Sequence, residues 1–219
     1  RDDSVGGDTN GDGNATGPTN TDWYGVQSSP AGNGNPDPTI NLDRVKISWA
    51  STGVSASQSV VSVTNSEVSR VQGDGITVSS PVGIPTVTGN TVNNAGYNAI
   101  RVSSANIDFA RLNGNSGSGN QFNAVALESD TVTVSSSLPW SGNLIPLLWG
   151  GCSSVTIAPS VTVTLNPGTV IKGGNHSCGG LYVQGSLVGA GTVANPVVLT
   201  SWRDDSVGGD TNGDGNATG

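Results

Sequence analysis

The chain has 219 residues and a net charge of −8, and only 11% of its residues are charged, against about 25% in ordinary globular domains. Its 33 glycines, together with many serines, threonines and asparagines, favour β-strands and tight turns over helices. The sequence has no basic patch and no apolar run of about 18 residues, so we expect neither nucleic-acid binding nor membrane insertion by this segment.

The chain opens on an acidic segment, RDDSVGGDTNGDGNATG at 1–17. Its DTNGDG run matches D-x-N-x-D-G, the first half of a calcium-binding loop, in which alternate oxygen-bearing side chains turn toward one centre. An EF-hand loop would carry a glutamate at its twelfth position, which is Thr19 here, so the EF-hand form is excluded. The expected ligands are Asp8, Asn10 and Asp12, completed by the neighbouring carboxylates Asp2, Asp3 and Asp22.

A solvated turn rich in Asp, Asn and Gly, without a metal, is the alternative for this acidic segment. Hard cations such as calcium take 6–8 oxygen ligands, and the run itself supplies fewer. The missing ligands would have to come from the neighbouring carboxylates. Calcium is the predicted cofactor, and the metal-free turn stays open as the alternative.

A four-residue apolar pattern repeats through the middle of the chain. The copies begin at near-constant intervals, and they are GVSA at 53–56, GITV at 75–78, AIRV at 99–102 and AVAL at 124–127. Further apolar residues precede three of them at near-constant distance: Ile47, Val68 and Val92. Two short strands that recur with such a period predict a parallel β-helix.

The fold class predicted is therefore all-β, a single right-handed parallel β-helix over 1–219 with roughly eight or nine rungs of about 22–25 residues. A β-sandwich is the rival, but it does not predict a fixed period. The run NGNSGSGNQFN stretches the fourth repeat and is interpreted as a surface loop. Asparagines at turn-like places are interpreted as turn formers: Asn65, Asn90, Asn94, Asn113 and Asn115.

The two cysteines, Cys152 and Cys178, are separated along the chain by close to the length of one rung. Adjacent rungs lie about 4.8 Å apart, and this spacing is compatible with a disulfide. We therefore expect a rung-to-rung disulfide and an extracellular location. A pair of free buried thiols is the alternative.

The segment of 1–17 returns unchanged at 203–219. The second copy follows a strand-like run, and the first copy leads into DWYGV. Each copy therefore has the flanking sequence that the other lacks. We expect a tandem repeat with a 202-residue period, which is the offset from Arg1 to Arg203. The second set of expected calcium ligands is Asp204, Asp205, Asp210, Asn212 and Asp214.

One stretch of the chain resembles a known group. The run LNPGTVIKGG, followed by LYVQGSLVGAGTVANPVVLTSWRDDSVGGDTNGDG and DWYGV, resembles right-handed parallel β-helix repeats of secreted and cell-surface bacterial proteins. The resemblance implies a structural, adhesive or matrix role. It also implies that the D-x-N-x-D-G side chains of both copies ligate a metal.

The predicted function is a structural repeat unit of an extracellular fibre, surface layer or adhesin stalk. Identical units would stack head to tail, with calcium in the acidic loops. The alternative is a β-helix that binds or cleaves polysaccharide, for which cell-surface or matrix polysaccharide would be the partner. Its candidate aromatic residues are Trp23, Tyr24, Trp49, Tyr97, Trp140, Trp149 and Trp202.

An enzyme is not predicted. A lyase needs carboxylates and a Lys or Arg base in one cleft, and the best local set is Arg101, Asp108 and Arg111. Alternation in NIDFARLNG would place Asp108 on the face opposite Phe109, which disfavours a shared site. Arg101 is interpreted as a solvated side chain or one paired between rungs. Glu128 and Asp130 lack a convergent base.

Overall fold

The computed structural model describes residues 3, 5–30, 32, 35–138, 140–149, 154–174, 180–215 and 217. This part of the chain forms β-strands and one 3-10 helix, Phe109–Leu112. None of its helices is long and apolar enough to cross a membrane. The predicted disulfide lies outside the described residues, because Cys152 and Cys178 both do.

The strands are β1 Val26–Gln27, β2 Thr39–Asp43, β3 Lys46–Ser48, β4 Val54–Ser57, β5 Val60–Thr64, β6 Glu67–Val71, β7 Ile76–Ser79, β8 Thr86–Thr88, β9 Thr91–Ala95, β10 Asn98–Ser103, β11 Ser116–Ser118, β12 Phe122–Leu127, β13 Thr131–Val132, β14 Ser136–Leu138, β15 Ile145–Leu148, β16 Ser154–Ile157, β17 Thr162–Leu165, β18 Val170–Gly173, β19 Gly180–Val183, β20 Ser186–Gly189 and β21 Val198–Ser201.

The strands wind into a parallel β-solenoid of about seven turns. One sheet of eight strands, here called the long sheet, runs its whole length in the order β1-β4-β7-β10-β12-β15-β18-β21. Four shorter sheets form the other faces, in the orders β2-β5-β8, β3-β6-β9-β11, β13-β16-β19 and β14-β17-β20. The predicted fold class is confirmed, and the predicted eight or nine rungs are close to the observed number of turns.

The repeat found in the sequence sets the register of the long sheet. Val54 lies beside Ile76, Ile76 beside Ile100, and Ile100 beside Val125. All four side chains are fully buried, because an inward position recurs once per turn and each turn covers its neighbour. The second apolar series stacks in the same way in a short sheet, in the order Ile47, Val68 and Val92.

The run interpreted as a surface loop is instead part of the solenoid. Ser116–Ser118 forms β11 and pairs with β9, and Asn115 is fully buried. The prediction of a loop was wrong because it interpreted the longer spacing between Leu112 and Val125 as an insertion. A buried asparagine is stable where the neighbouring turns supply hydrogen-bond partners.

Those partners form an asparagine ladder inside the solenoid. The Asn90 side chain accepts from the Ser66 amide at 3.0 Å and donates to the Val63 carbonyl at 2.9 Å. One turn later, Asn115 Oδ1 accepts from the Asn90 amide at 3.0 Å. The turn-former interpretation holds for Asn65 and Asn94, whose φ angles are 49° and 56°, while Asn90 and Asn115 are ladder residues.

The solenoid changes its cross-section near its middle. The 3-10 helix stands between β8 and β14, where a strand would be expected, and it buries Phe109 and Leu112. Asp108 begins it by accepting from the Ala110 amide at 3.0 Å. The strand-like alternation predicted for NIDFARLNG was therefore wrong, because residues three apart share a face in a 3-10 helix. The long sheet alone among the five sheets continues past this turn.

Candidate metal centres in the two acidic segments

The D-x-N-x-D-G run folds into a tight loop around its first carboxylate. Asp8 accepts backbone hydrogen bonds from Gly11 at 2.6 Å, from Asp12 at 3.1 Å and from Gly13 at 2.9 Å. Positive φ angles of 73° at Gly11 and 63° at Gly13 allow these amides to converge. The loop therefore holds Asp8 in place before any cation binds.

The second copy repeats this geometry. Asp210 accepts from the amide of Asp214 at 3.1 Å and from the amide of Gly215 at 3.0 Å. The later carboxylate of each loop also caps the following turn, since Asp214 accepts from the Ala217 amide at 2.9 Å and Asp12 from the Ala15 amide at 3.0 Å. Two copies of one sequence reach the same local fold in different surroundings.

Three carboxylates converge in each copy. Their oxygens lie within 4.8 Å of one another in two clusters, Asp3, Asp8 and Asp12 in the first and Asp205, Asp210 and Asp214 in the second. The members match one to one under the 202-residue offset.

Asp3 and Asp205 supply the observation that tests whether a cation fits. Both oxygens of each carboxylate are buried, and none of them has a hydrogen-bond partner within the described part of the chain. Burying a carboxylate without a partner is costly. Oxygen-only donors that converge in this way suit a hard divalent cation, so the residues present fit calcium.

The pKa shifts of the cluster carboxylates are consistent with a site that suits a cation. Hydrogen bonds hold the pKa of Asp8 and of Asp12 below their usual value, chiefly from the Gly13 amide and from the Thr16 hydroxyl respectively. Burial raises the pKa of Asp205, and the carboxylates of Asp214 and Asp210 add to the rise. The first two groups are therefore charged at neutral pH, and a cation beside Asp205 would relieve its desolvation and the repulsion.

The other predicted ligands take different places. Asn10 and Asn212 donate through their amide nitrogens to Asp12 and Asp214, at 2.9 and 2.7 Å. Asp22 accepts from the amide and hydroxyl of Thr19. Asp204 accepts from the hydroxyls of Thr200 and Ser206. Neither Asp22 nor Asp204 belongs to a cluster, and Asp2 lies outside the described residues.

The second acidic segment also packs against the solenoid, through residues that the sequence analysis missed. Lys172 in β18 donates to the Gly209 carbonyl at 2.7 Å, and Asn123 in β12 donates from its backbone amide to the Thr211 carbonyl at 2.9 Å. Burial lowers the pKa of Lys172, although the carboxylates of Asp205, Asp204 and Asp210 oppose this shift. Strand alternation indicates only that Lys172 points outward, and nothing in the sequence shows what covers it.

The aromatic candidates for polysaccharide binding do not form one exposed row. Trp149 is buried, and it packs with Phe122 at 4.4 Å and with Trp202 at 5.9 Å between ring centroids. Tyr97 is partly exposed at the rim of this group. The remaining candidates lie elsewhere: Trp23 bonds to the Ser48 carbonyl, Tyr24 is exposed, Trp49 stacks under Arg70 and Trp140 bonds to the Leu144 carbonyl.

Arg101 lies in an ion-pair network between turns. It contacts Asp74 at 2.9 Å and Glu128 at 3.3 Å, as expected for pairing between rungs. The expectation that Glu128 has no base beside it was therefore wrong. Arg111 pairs with Asp108 at 3.8 Å beside the 3-10 helix, and Asp130 is buried. The described residues therefore do not place Arg101, Asp108 and Arg111 in one cleft.

The fold and site together define a parallel β-solenoid with two matching acidic clusters. Comparisons of the chain with protein-family models, with curated proteins and with solved structures find no significant match.

Proposed function

We propose that the chain is a structural repeat unit of an extracellular fibre, surface layer or adhesin stalk. Units stack end to end, and calcium holds the acidic segments. The observation that carries the proposal is the identical segment at 1–17 and 203–219, whose copies flank the first and last strands of the long sheet.

The spacing along the long sheet supports a continuous stack. Among the residues that pair from strand to strand in the long sheet, the shortest interval runs from Val125 to Pro146, and the longest is shared by Val26 to Val54 and Ile171 to Leu199. If the unit repeats every 202 residues, Val26 of the next unit follows Leu199 along the chain. The number of residues between them is then almost equal to the longest interval within the unit. The β1 strand of that unit can therefore succeed β21 in the same sheet.

The last turn has apolar side chains, and no strand of the described residues stacks on it. Leu181, Leu187 and Leu199 continue the inward columns of Val155, Val163 and Ile171. The residues one turn below are buried, whereas Leu199 is 58% exposed. Fully burying a leucine side chain stabilises by about 1.5–3 kcal/mol. A further turn from a neighbouring unit would supply that burial and also pair the open strand edge.

If units stack in this way, concentrated protein in calcium should form fibres with an axial repeat of about 38 Å, from seven turns within the unit and one across the junction, each of about 4.8 Å. Negative-stain electron microscopy measures this. Leu199→Glu places a charge on the stacking end and should abolish the fibres. Tyr182→Glu is the matched control, since Tyr182 is in the same last turn but points outward beside Thr156. Single units at every concentration would contradict the stacking.

Calcium should raise the melting temperature, and excess chelator should reverse the rise. At a calcium concentration of 100 Kd, binding to the folded state contributes about 2.7 kcal/mol per site. Isothermal titration calorimetry should find two sites, one of which is lost in Asp3→Asn and the other in Asp205→Asn. Magnesium is the control cation, because it requires a stricter octahedral geometry. An unchanged melting temperature in chelator would contradict the calcium part of the proposal.

The extracellular location, the polysaccharide partner and the lack of enzymatic activity stay predictions. Release of unsaturated sugars from uronate polymers would overturn the last of them. The scattered aromatic residues described above do not favour the polysaccharide alternative.

A further inference from the structure

The two acidic segments share one sequence but not one environment. Thr9 is exposed in the first copy, whereas its equivalent Thr211 is 0% exposed in the second. Val5 is 76% exposed, and its equivalent Val207 is half-buried. The first copy therefore serves as an internal reference for what the second gains from the solenoid.

The second copy crosses the outer face of the long sheet. It leaves the sheet after β21, passes Lys172 in β18 and reaches Asn123 in β12. Asn123 holds it twice, through its backbone amide to the Thr211 carbonyl at 2.9 Å and through Nδ2 to the Asp210 carbonyl at 3.0 Å. Residues 203–215, here called the clasp, thus span the last four strands of the long sheet.

The outer face changes its chemistry where the clasp lies. One outward column of the long sheet runs in register through its turns: Ser55, Thr77, Arg101, Ala126, Leu147, Lys172 and Thr200. It is polar in the early turns and becomes apolar at Ala126 and Leu147. These two residues and Lys172 are fully buried although they face outward. Ala126 and Leu147 pack with Phe122, Trp149 and Trp202, and Lys172 lies under the clasp, where it bonds to Gly209. An apolar outer face is unfavourable in water, so the sequence of these turns suits a covered surface.

The same residues hold the clasp and form the acidic cluster. Asp210 contributes its carboxylate to the cluster and its carbonyl to Asn123. Gly209 and Thr211, its neighbours, supply the other two carbonyls that bond to the sheet. A cation that fixes Asp205, Asp210 and Asp214 relative to one another would therefore also fix these three carbonyls in their bonding positions.

We propose that residues 203–215 are a calcium-dependent clasp, which closes over the apolar outer face of β12, β15 and β18 when the Asp205, Asp210 and Asp214 cluster is loaded. This inference rests on the calcium binding proposed above and assigns a regulated intramolecular surface to one of its two sites. Without calcium, mutual repulsion of the carboxylates loosens the loop, and the face becomes accessible to water.

The test is hydrogen exchange at the Asn123 backbone amide, which the clasp protects through Thr211. In the full chain, adding chelator should speed this exchange about tenfold or more. Asp205→Asn should show the fast rate even in calcium, and Asp3→Asn should keep the slow rate. This pair changes the same residue in two identical loops, so a general effect on folding would appear in both.

A second pair tests the docking itself. Thr211→Arg cannot fit a fully buried position, so it should speed Asn123 exchange and shift the tryptophan emission to the red, whereas Thr9→Arg should change neither. Calorimetry on the same samples separates the two proposals. Calcium binding at both loops with an unchanged Asn123 rate would overturn the clasp and leave the calcium proposal standing. Absence of calcium binding would overturn both.

Discussion

Replacing Asn115 by Ala should lower the free energy of unfolding by about 3–5 kcal/mol, since it leaves several buried polar groups without partners. Asn115 Nδ2 donates to the Val87 and Leu112 carbonyls, each at 2.8 Å. Its Oδ1 accepts from the amide and side chain of Asn90, at 3.0 and 3.1 Å. Urea denaturation followed by circular dichroism measures the loss.

Asn93→Ala is the matched control for this ladder. Asn93 is in the preceding turn and accepts from the Ser118 amide at 2.9 Å, but it does so at the surface, where water replaces the lost bond. We expect a loss below about 1 kcal/mol there. Equal losses for the two variants would show that burial of the ladder does not matter.

The stability of the protein should fall as pH rises toward 8, because of one buried carboxyl group. Burial raises the pKa of Asp130 from the ordinary 3.8 to about 8, against hydrogen bonds from the Ser104 and Glu128 amides. The folded state therefore holds the proton more tightly than the unfolded state. The stabilisation is fully present below about pH 4 and is lost as pH rises to about 8, by up to about 1.4 kcal/mol per unit.

Asp130→Asn should remove this dependence and stabilise the protein at pH 8 by on the order of 3–5 kcal/mol. The change puts a neutral amide in place of a carboxyl whose Oδ2 has no partner among the described residues. Thermal unfolding from pH 4 to pH 9 measures the difference from the unmodified chain. Asp43→Asn is the control of opposite sign, since the side chain of Asn65 lowers the pKa of Asp43. Parallel profiles for Asp130→Asn and the unmodified chain would contradict the assignment.

The solenoid could be predicted from the sequence because its core repeats one local rule. An inward apolar residue recurs each turn, so Val54, Ile76, Ile100 and Val125 could be aligned without coordinates. The run around Asn115 could not, because a polar residue is stable inside only when the next turn supplies its partners, and that depends on register. The 3-10 helix was missed because Ile107, Phe109 and Arg111 fit the alternation of a strand, although Phe109 and Leu112 have the three-residue spacing of a 3-10 helix.

The acidic clusters could be predicted in part for a similar reason. Asp8 and Asp12 belong to a local pattern, and the backbone of the same loop positions them. Asp3 reaches them through the fold of the residues between Asp3 and Asp8. The sequence indicated it only as one of three neighbouring carboxylates. Lys172 and Asn123 lie far along the chain from their partners in the clasp, Gly209 and Asp210, a separation over which no local pattern acts.

The turn that contains the 3-10 helix determines how the molecule would bear tension. Two of the short sheets end before it or at it, and two begin after it, so among the described residues only the long sheet and the single bridge between Ile107 and Val132 carry strand pairing across. A rod stretched along its axis would transmit force there through fewer paired strands than in the turns on either side. The middle of the unit would then open before the turns on either side of it, and a fibre built from this chain would extend by opening its units in series.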